Sequence, residues 1–160
     1  YDKVLQSLLM HDNCLHQNWE SFIFAVTTFN LGPSTSTFCH QDYLNYVLGI
    51  CPVYAGGNFD SKCGGHLILW DLKLVIQFPV GGTIIFLSAL LKHSNIPVQP
   101  GESCFSFTQF TTAGLFHWVY NSFKSDQEIL ETRQCFEKVG LQMRKERVWE
   151  RGLKFFSMCK

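Results

Sequence analysis

The chain has 160 residues, 46% of them apolar and 15 of them phenylalanine, a composition that fits one folded domain with a sizeable core and excludes a disordered polypeptide. The formal net charge is zero, but residues 1–139 carry 7 Lys/Arg against 11 Asp/Glu while residues 140–160 carry 6 against 2, so the basic charge gathers at the C-terminal end. The uncharged, strongly apolar run Leu74 to Leu91 is broken by Pro79, Gly81 and Gly82, which excludes a membrane-spanning helix there.

In chain order, residues 1–20 read as a short helix followed by a polar stretch. Ser21 to Phe29 is β-branched and aromatic and predicts a strand. A turn at Leu31-Gly-Pro-Ser leads through Ser34 to Asp42, and Tyr46 to Tyr54 predicts a strand bent at Pro52. The glycines between Gly56 and Gly65 predict a loop. Short strands follow at His66 to Trp70 and Leu72 to Phe78, joined tightly at Asp71, and at Thr83 to Leu87 after a Pro-Val-Gly-Gly turn. Ile96 to Gln99 reads as extended, and Cys104 to Phe110 as a last strand. Short strands with turn signals at close intervals predict a mainly β fold, a sandwich or small barrel.

The end of the chain differs. Ser125-Asp-Gln-Glu128 is a capping box, and Ile129, Phe136, Val139 and Met143 follow at helical spacing, with a break at Gly140. We divide the chain accordingly into a β core, 1–124, and a helical extension, 125–160. The seven cysteines are odd in number and contain no CxxC, so they read as free thiols in a reducing, intracellular compartment. The chain begins with tyrosine and reads as a trimmed domain or fragment.

The residues that carry chemistry are His40-Gln-Asp42 and His93. Two histidines and one carboxylate hold non-haem Fe(II) on one face and leave three coordination positions open. Residues i and i+2 of a strand point to the same side, so His40 and Asp42 can face one ion from a strand end. His93 follows the apolar run Thr83 to Leu91 and would arrive from a distant strand. A surface trio that never converges is the ordinary alternative. His11, Cys14 and His16 also offer ligand atoms, but without zinc spacing or a fourth partner.

Around these residues stand the runs GGHLILWDLKL (64–74), SALLKHSN (88–95) and GESCFSFTQF (101–110). In this order, with the HxD pair ahead of them, they resemble the 2-oxoglutarate/Fe(II) dioxygenases. More narrowly, they are similar to the TET/JBP-related nucleobase dioxygenases of the fungal transposon-associated type. The resemblance runs from about Phe22 to Phe123. It implies a double-stranded β-helix, or jelly-roll, with His40, Asp42 and His93 as iron ligands. It also implies 2-oxoglutarate as cosubstrate and oxidation of a methylated base such as 5-methylcytosine in DNA. A DNA substrate would add a nuclear setting to the intracellular one.

One departure bears on activity. Where that superfamily carries Arg-x-Ser to bind the distal carboxylate of 2-oxoglutarate, this chain reads Cys104-Phe105-Ser106. GLFHWV (114–119) likewise lacks the arginine of its counterpart. Ser106 remains as a candidate donor to the cosubstrate, against the alternative of a strand hydroxyl satisfied by backbone. No arginine precedes Arg133, which leaves Lys62, Lys73, Lys92 and Lys124 as replacement cations. Lys73 heads a strand and is the first candidate, against the alternative of a solvent-facing turn residue. Leaving the carboxylate unpaired costs about 3–5 kcal/mol, or roughly 100- to 3,000-fold in affinity. The two outcomes are an active dioxygenase and an inactive jelly-roll remnant. Asn95, two residues after His93, either shapes the base pocket or turns the chain. DNA contacts fall to Arg144, Lys145, Arg147 and Arg151, which otherwise form a solvated helix face. No membrane partner is implied, and the sequence leaves the oligomeric state open.

Overall fold

The computed structural model describes residues 1–132 together with Arg147, Glu150 and Lys154. Helix α1 (Asp2–His11) is followed by β1 (Val26–Asn30), β2 (Thr37–His40), β3 (Cys51–Asn58), β4 (Leu67–Leu69), β5 (Leu74–Ile76), β6 (Thr83–Phe86), β7 (His93–Asn95) and β8 (Ser103–Phe110). Helices α2 (Ala113–Tyr120) and α3 (Asp126–Thr132) close the described part. The strands form two four-stranded sheets, ordered β1-β8-β3-β6 and β2-β7-β4-β5, and every pairing is antiparallel. The architecture is mainly β, as the spacing of turn signals predicts. Chain neighbours β4 and β5 pair as a hairpin, but β1 pairs with β8 and β2 with β7, so most of the ladder is long-range.

Residues Tyr1–Phe116 form one compact unit and His117–Lys160 a second. In the first, α1 buries Val4, Leu5 and Leu8 along one face. The sheet core gathers Ala55, Leu67, Leu69, Phe78 and Phe86, with Val53, Ile76 and Ile84 packed against it. Burying such side chains contributes about 1.5–3 kcal/mol each. In the second unit the capping box forms as read. Ser125 Oγ accepts from the Glu128 N–H at 3.2 Å, and the Glu128 carboxylate accepts from the Ser125 N–H at 2.7 Å. The helical positions Phe136, Val139 and Met143 lie outside the described residues, as do Arg144, Lys145 and Arg151.

Several strand limits differ from the sequence reading, each for a local reason. Ser21 has φ 72, a left-handed conformation no strand tolerates, and β1 begins at Val26 instead. Residues 46–50 turn rather than extend, with the Gly49 N–H bonded to the Tyr46 carbonyl at 2.8 Å, and β3 starts at Cys51. Gly56 and Gly57 are strand residues, not loop. β8 runs so close that a Cβ on Gly56 would strike the Phe105 ring, and one on Gly57 the Ser103 carbonyl. Residues 96–99 hold no strand, while His93–Asn95 does. Helix α2 has no counterpart in the sequence reading. Five cysteines (Cys14, Cys39, Cys51, Cys63 and Cys104) are free among the described residues. No helix among them is long and apolar enough to cross a membrane.

Candidate metal centre

A cavity of about 340 Å³ lies within the first unit, lined by inward residues of both sheets. Strand alternation selects them. Cys104, Ser106, Thr108 and Phe110 of β8 line it, as do Cys51, Val53 and Ala55 of β3, while the residues between them point away.

His40, Asp42 and His93 meet at one corner, with one ligand atom from each lying within 4.8 Å of the others. The convergence has identifiable causes. β2 and β7 pair so that His40 stands opposite His93, with ring centroids 4.2 Å apart. Asp42 lies beyond the end of β2, so strand alternation alone does not aim it. Two tethers do: the Asp42 N–H donates to the Ser88 carbonyl at 3.1 Å, and Gln41 Nε2 donates to the Leu90 carbonyl at 2.7 Å. Both anchors belong to the segment that delivers His93.

Each histidine is oriented in the same way. Nδ1 of His40 lies 2.8 Å from the Phe38 carbonyl and Nδ1 of His93 lies 2.9 Å from that of Leu91. A carbonyl can only accept, so both Nδ1 atoms carry a proton, and Nε2 is the atom of each ring left to face an ion. His40 Nε2 stands 3.7 Å from Asp42 Oδ1. His93 is only 7% exposed, and burial holds its imidazole below the usual range, against an opposing pull from the Leu91 carbonyl. Burial thus favours the neutral form, which is the ligating one.

Asn45 is a residue the sequence reading missed. Its Nδ2 lies 3.3 Å from Asp42 Oδ2 and 3.2 Å from Ser88 Oγ, and Ser88 is 1% exposed. Its role rests on the contact with Ser88, 43 residues along the chain, which local sequence does not signal. Asn95 lines the cavity with its amide occupied. Its Nδ2 donates to the Thr35 carbonyl at 2.7 Å, and its Oδ1 accepts from Thr37 Oγ1 at 2.7 Å.

The residues considered for the cosubstrate separate. Ser106 lines the cavity, and its Oγ accepts from Asn30 Nδ2 at 3.0 Å, leaving its own O–H to donate. Cys104 also lines it, buried, and burial pushes its thiol pKa up, so it brings no charge. Lys73 is not among the lining residues. It closes the turn from β4 to β5 with φ 54, its N–H bonded to the Trp70 carbonyl at 3.1 Å and its side chain exposed. Lys62, Lys92 and Lys124 are exposed as well. Among the described residues, no lysine or arginine lines the cavity.

No protein-family model matches the chain, and no curated protein does. Among solved structures it is similar to NgTET1 in complex with 5mC DNA, with a TM-score of 0.52 and 19% identity, over 69% of this chain and 40% of that one. The fold is a jelly-roll of two four-stranded antiparallel sheets. A looser likeness joins it to the viral collagen prolyl hydroxylase of Paramecium Bursaria Chlorella virus-1 in its 2OG complex, with a TM-score of 0.40 and 17% identity, over 68% of each chain. The chain spans less than half the length of the NgTET1 chain. Within this jelly-roll the donor set suits a divalent ion: two imidazoles, one carboxylate and backing hydrogen bonds to all three. The lining does not suit the second carboxylate of 2-oxoglutarate, for which it offers hydroxyls and a neutral thiol.

Proposed function

We propose that this chain is an Fe(II)-dependent oxygenase driven by a 2-oxo acid, acting on a methylated base such as 5-methylcytosine in DNA. The observation that carries it is the convergence of His40, Asp42 and His93 at one corner of the cavity. The base as substrate draws on the sequence resemblance and on the likeness to NgTET1, whose structure contains 5mC DNA. Iron held by His40, Asp42 and His93 would supply the coupling of a 2-oxo acid's oxidative decarboxylation to oxygen insertion into a C–H bond. One oxygen atom enters the substrate and the other the shortened acid.

The chain's own residues do the rest. His40 and His93, each tied through Nδ1 to a backbone carbonyl, turn Nε2 to the ion, and Asn45 steadies Asp42. Val53, Ala55, Leu67, Phe78 and Phe86 make an apolar wall that limits water at the reacting centre. A base in duplex DNA would have to leave the stack to reach it. Phosphate contacts would fall to Arg144, Lys145, Arg147 and Arg151, of which Arg147 is described and exposed.

A second reading, a metal-holding jelly-roll without productive cosubstrate binding, is favoured by the absence of a cation from the described cavity lining. Iron binding without oxygen, then turnover in air with a saturating 2-oxo acid and methylated or unmethylated duplex, separates the two. The oxygenase reading expects the hydroxymethyl base from methylated duplex alone, and none from Asp42→Ala. Iron binding with no 2-oxo acid consumed under any condition would establish the remnant instead. Neutralising the four basic residues should weaken DNA binding and flatten its salt dependence, by about 0.9 in log–log slope for every phosphate left without its cation. An unchanged slope would mark that segment as a solvated face.

A further inference from the structure

We infer that the 2-oxo acid taken by this cavity is one with an uncharged tail, in preference to a dicarboxylate such as 2-oxoglutarate. The inference rests on the oxygenase reading and sharpens its cosubstrate class. It follows first from the charges that line the cavity. Asp42 is the sole carboxylate among the described lining residues, and a histidine that holds an ion through Nε2 does so as a neutral imidazole. A divalent ion on this trio leaves one net positive charge. The single carboxylate of a 2-oxo monoacid cancels it. A second carboxylate leaves an unbalanced negative charge inside the protein, where isolated charge is strongly disfavoured.

Among the described residues, the far wall offers that charge no cation to pair with. Its polar groups are neutral: Ser106 with Asn30 behind it, Thr28 and Thr108, beside the buried thiol of Cys104. Hydroxyls can donate single hydrogen bonds, but they lack the charge and the two-pronged geometry of a guanidinium. The four lysines of the middle of the chain are all exposed, and none lines the cavity. The same wall suits an aliphatic or hydroxylated tail well. Val53, Ala55 and Phe110 provide apolar contact, and the hydroxyls provide one or two hydrogen bonds.

The test uses a matched pair of acids, 2-oxopentanoate and 2-oxoglutarate, which differ at the distal carboxylate. Each is titrated calorimetrically into the 160-residue chain loaded with Fe(II) under anaerobic conditions, and the visible charge-transfer band of the chelate is followed in parallel. We expect 2-oxopentanoate to bind at least about tenfold more tightly, and Cys104→Arg to reverse or erase the preference. Should that variant fail to fold, the wild-type comparison decides alone. Equal or tighter binding of 2-oxoglutarate by the wild type overturns the inference and leaves the oxygenase reading standing. Iron binding with neither acid bound overturns both.

Discussion

The cavity has two kinds of wall, and they are built by different forces. The corner of His40, Asp42 and His93 is aimed by hydrogen bonds to backbone and to Asn45, on strands of three or four residues and the loop beyond β2. The opposite wall rides on β3 and β8, each eight residues long, where alternation and packing alone decide what faces inward. Chemistry therefore sits where the regular structure is weakest, and stability where it is strongest. Substitutions in the two places should have separable effects.

The largest effect belongs to the corner. Asp42→Ala or His93→Ala should lower Fe(II) affinity by about a thousandfold or more, roughly 4 kcal/mol, in an anaerobic titration. The metal-free fold should lose little by comparison. Wild-type affinity in both variants would remove the metal centre from consideration. In the core that packs against β3, Phe78→Ala should do the reverse. Phe78 is 8% exposed within the sheet core, and its truncation should cost about 3 kcal/mol in denaturant unfolding. Iron affinity should stay within a few-fold of wild type, and a collapse of both together would show that the two walls are not independent.

A third expectation concerns pH. Burial, above all, pushes the Cys51 thiol at the head of β3 from 9.0 up to about 11. A group raised in the folded state contributes its stability in full below the unfolded value, and loses it as pH climbs through the folded one. Unfolding free energy should therefore fall by about 2 kcal/mol between pH 9 and 11, and Cys51→Ala should flatten that part of the profile. An unchanged profile in the variant would assign the alkaline loss elsewhere, with the Tyr1 phenol, raised to about 12, the next group to test. The smallest effect is the most diagnostic of the corner's design. Asn45→Ala should weaken iron by roughly ten- to thirtyfold with Asp42 intact, and Asn45→Asp should not restore it, because like charges would then face each other. Full affinity in Asn45→Ala would reduce the amide to a loop tie.

The HxD pair and the later histidine were legible because they are rare residue types in a recognisable order. Most of the eight strands were legible as a class, from alternation and turn signals, but not in their limits. β7 was hidden because its three residues, His93–Asn95, are polar or ionisable and held by pairing on both sides with β2 and β4. Gly56 and Gly57 misled because glycine marks a loop and a close strand approach equally well. Lys73 misled for a related reason. Its place before a strand is also the last place of a tight turn, and only the backbone angle tells them apart. Asn45 was unreadable because its role depends on where residue 88 lies, a contact 43 residues away.

The amide on Asp42 also distinguishes its two oxygens. Oδ2 lies 3.3 Å from Asn45 Nδ2, while Oδ1 stands 3.7 Å from His40 Nε2. A single hydrogen bond leaves a carboxylate oxygen further lone pairs, so the amide biases the rotation of the group without closing Oδ2. Asn45 therefore does more than steady a side chain: it sets which oxygen of Asp42 faces the histidine.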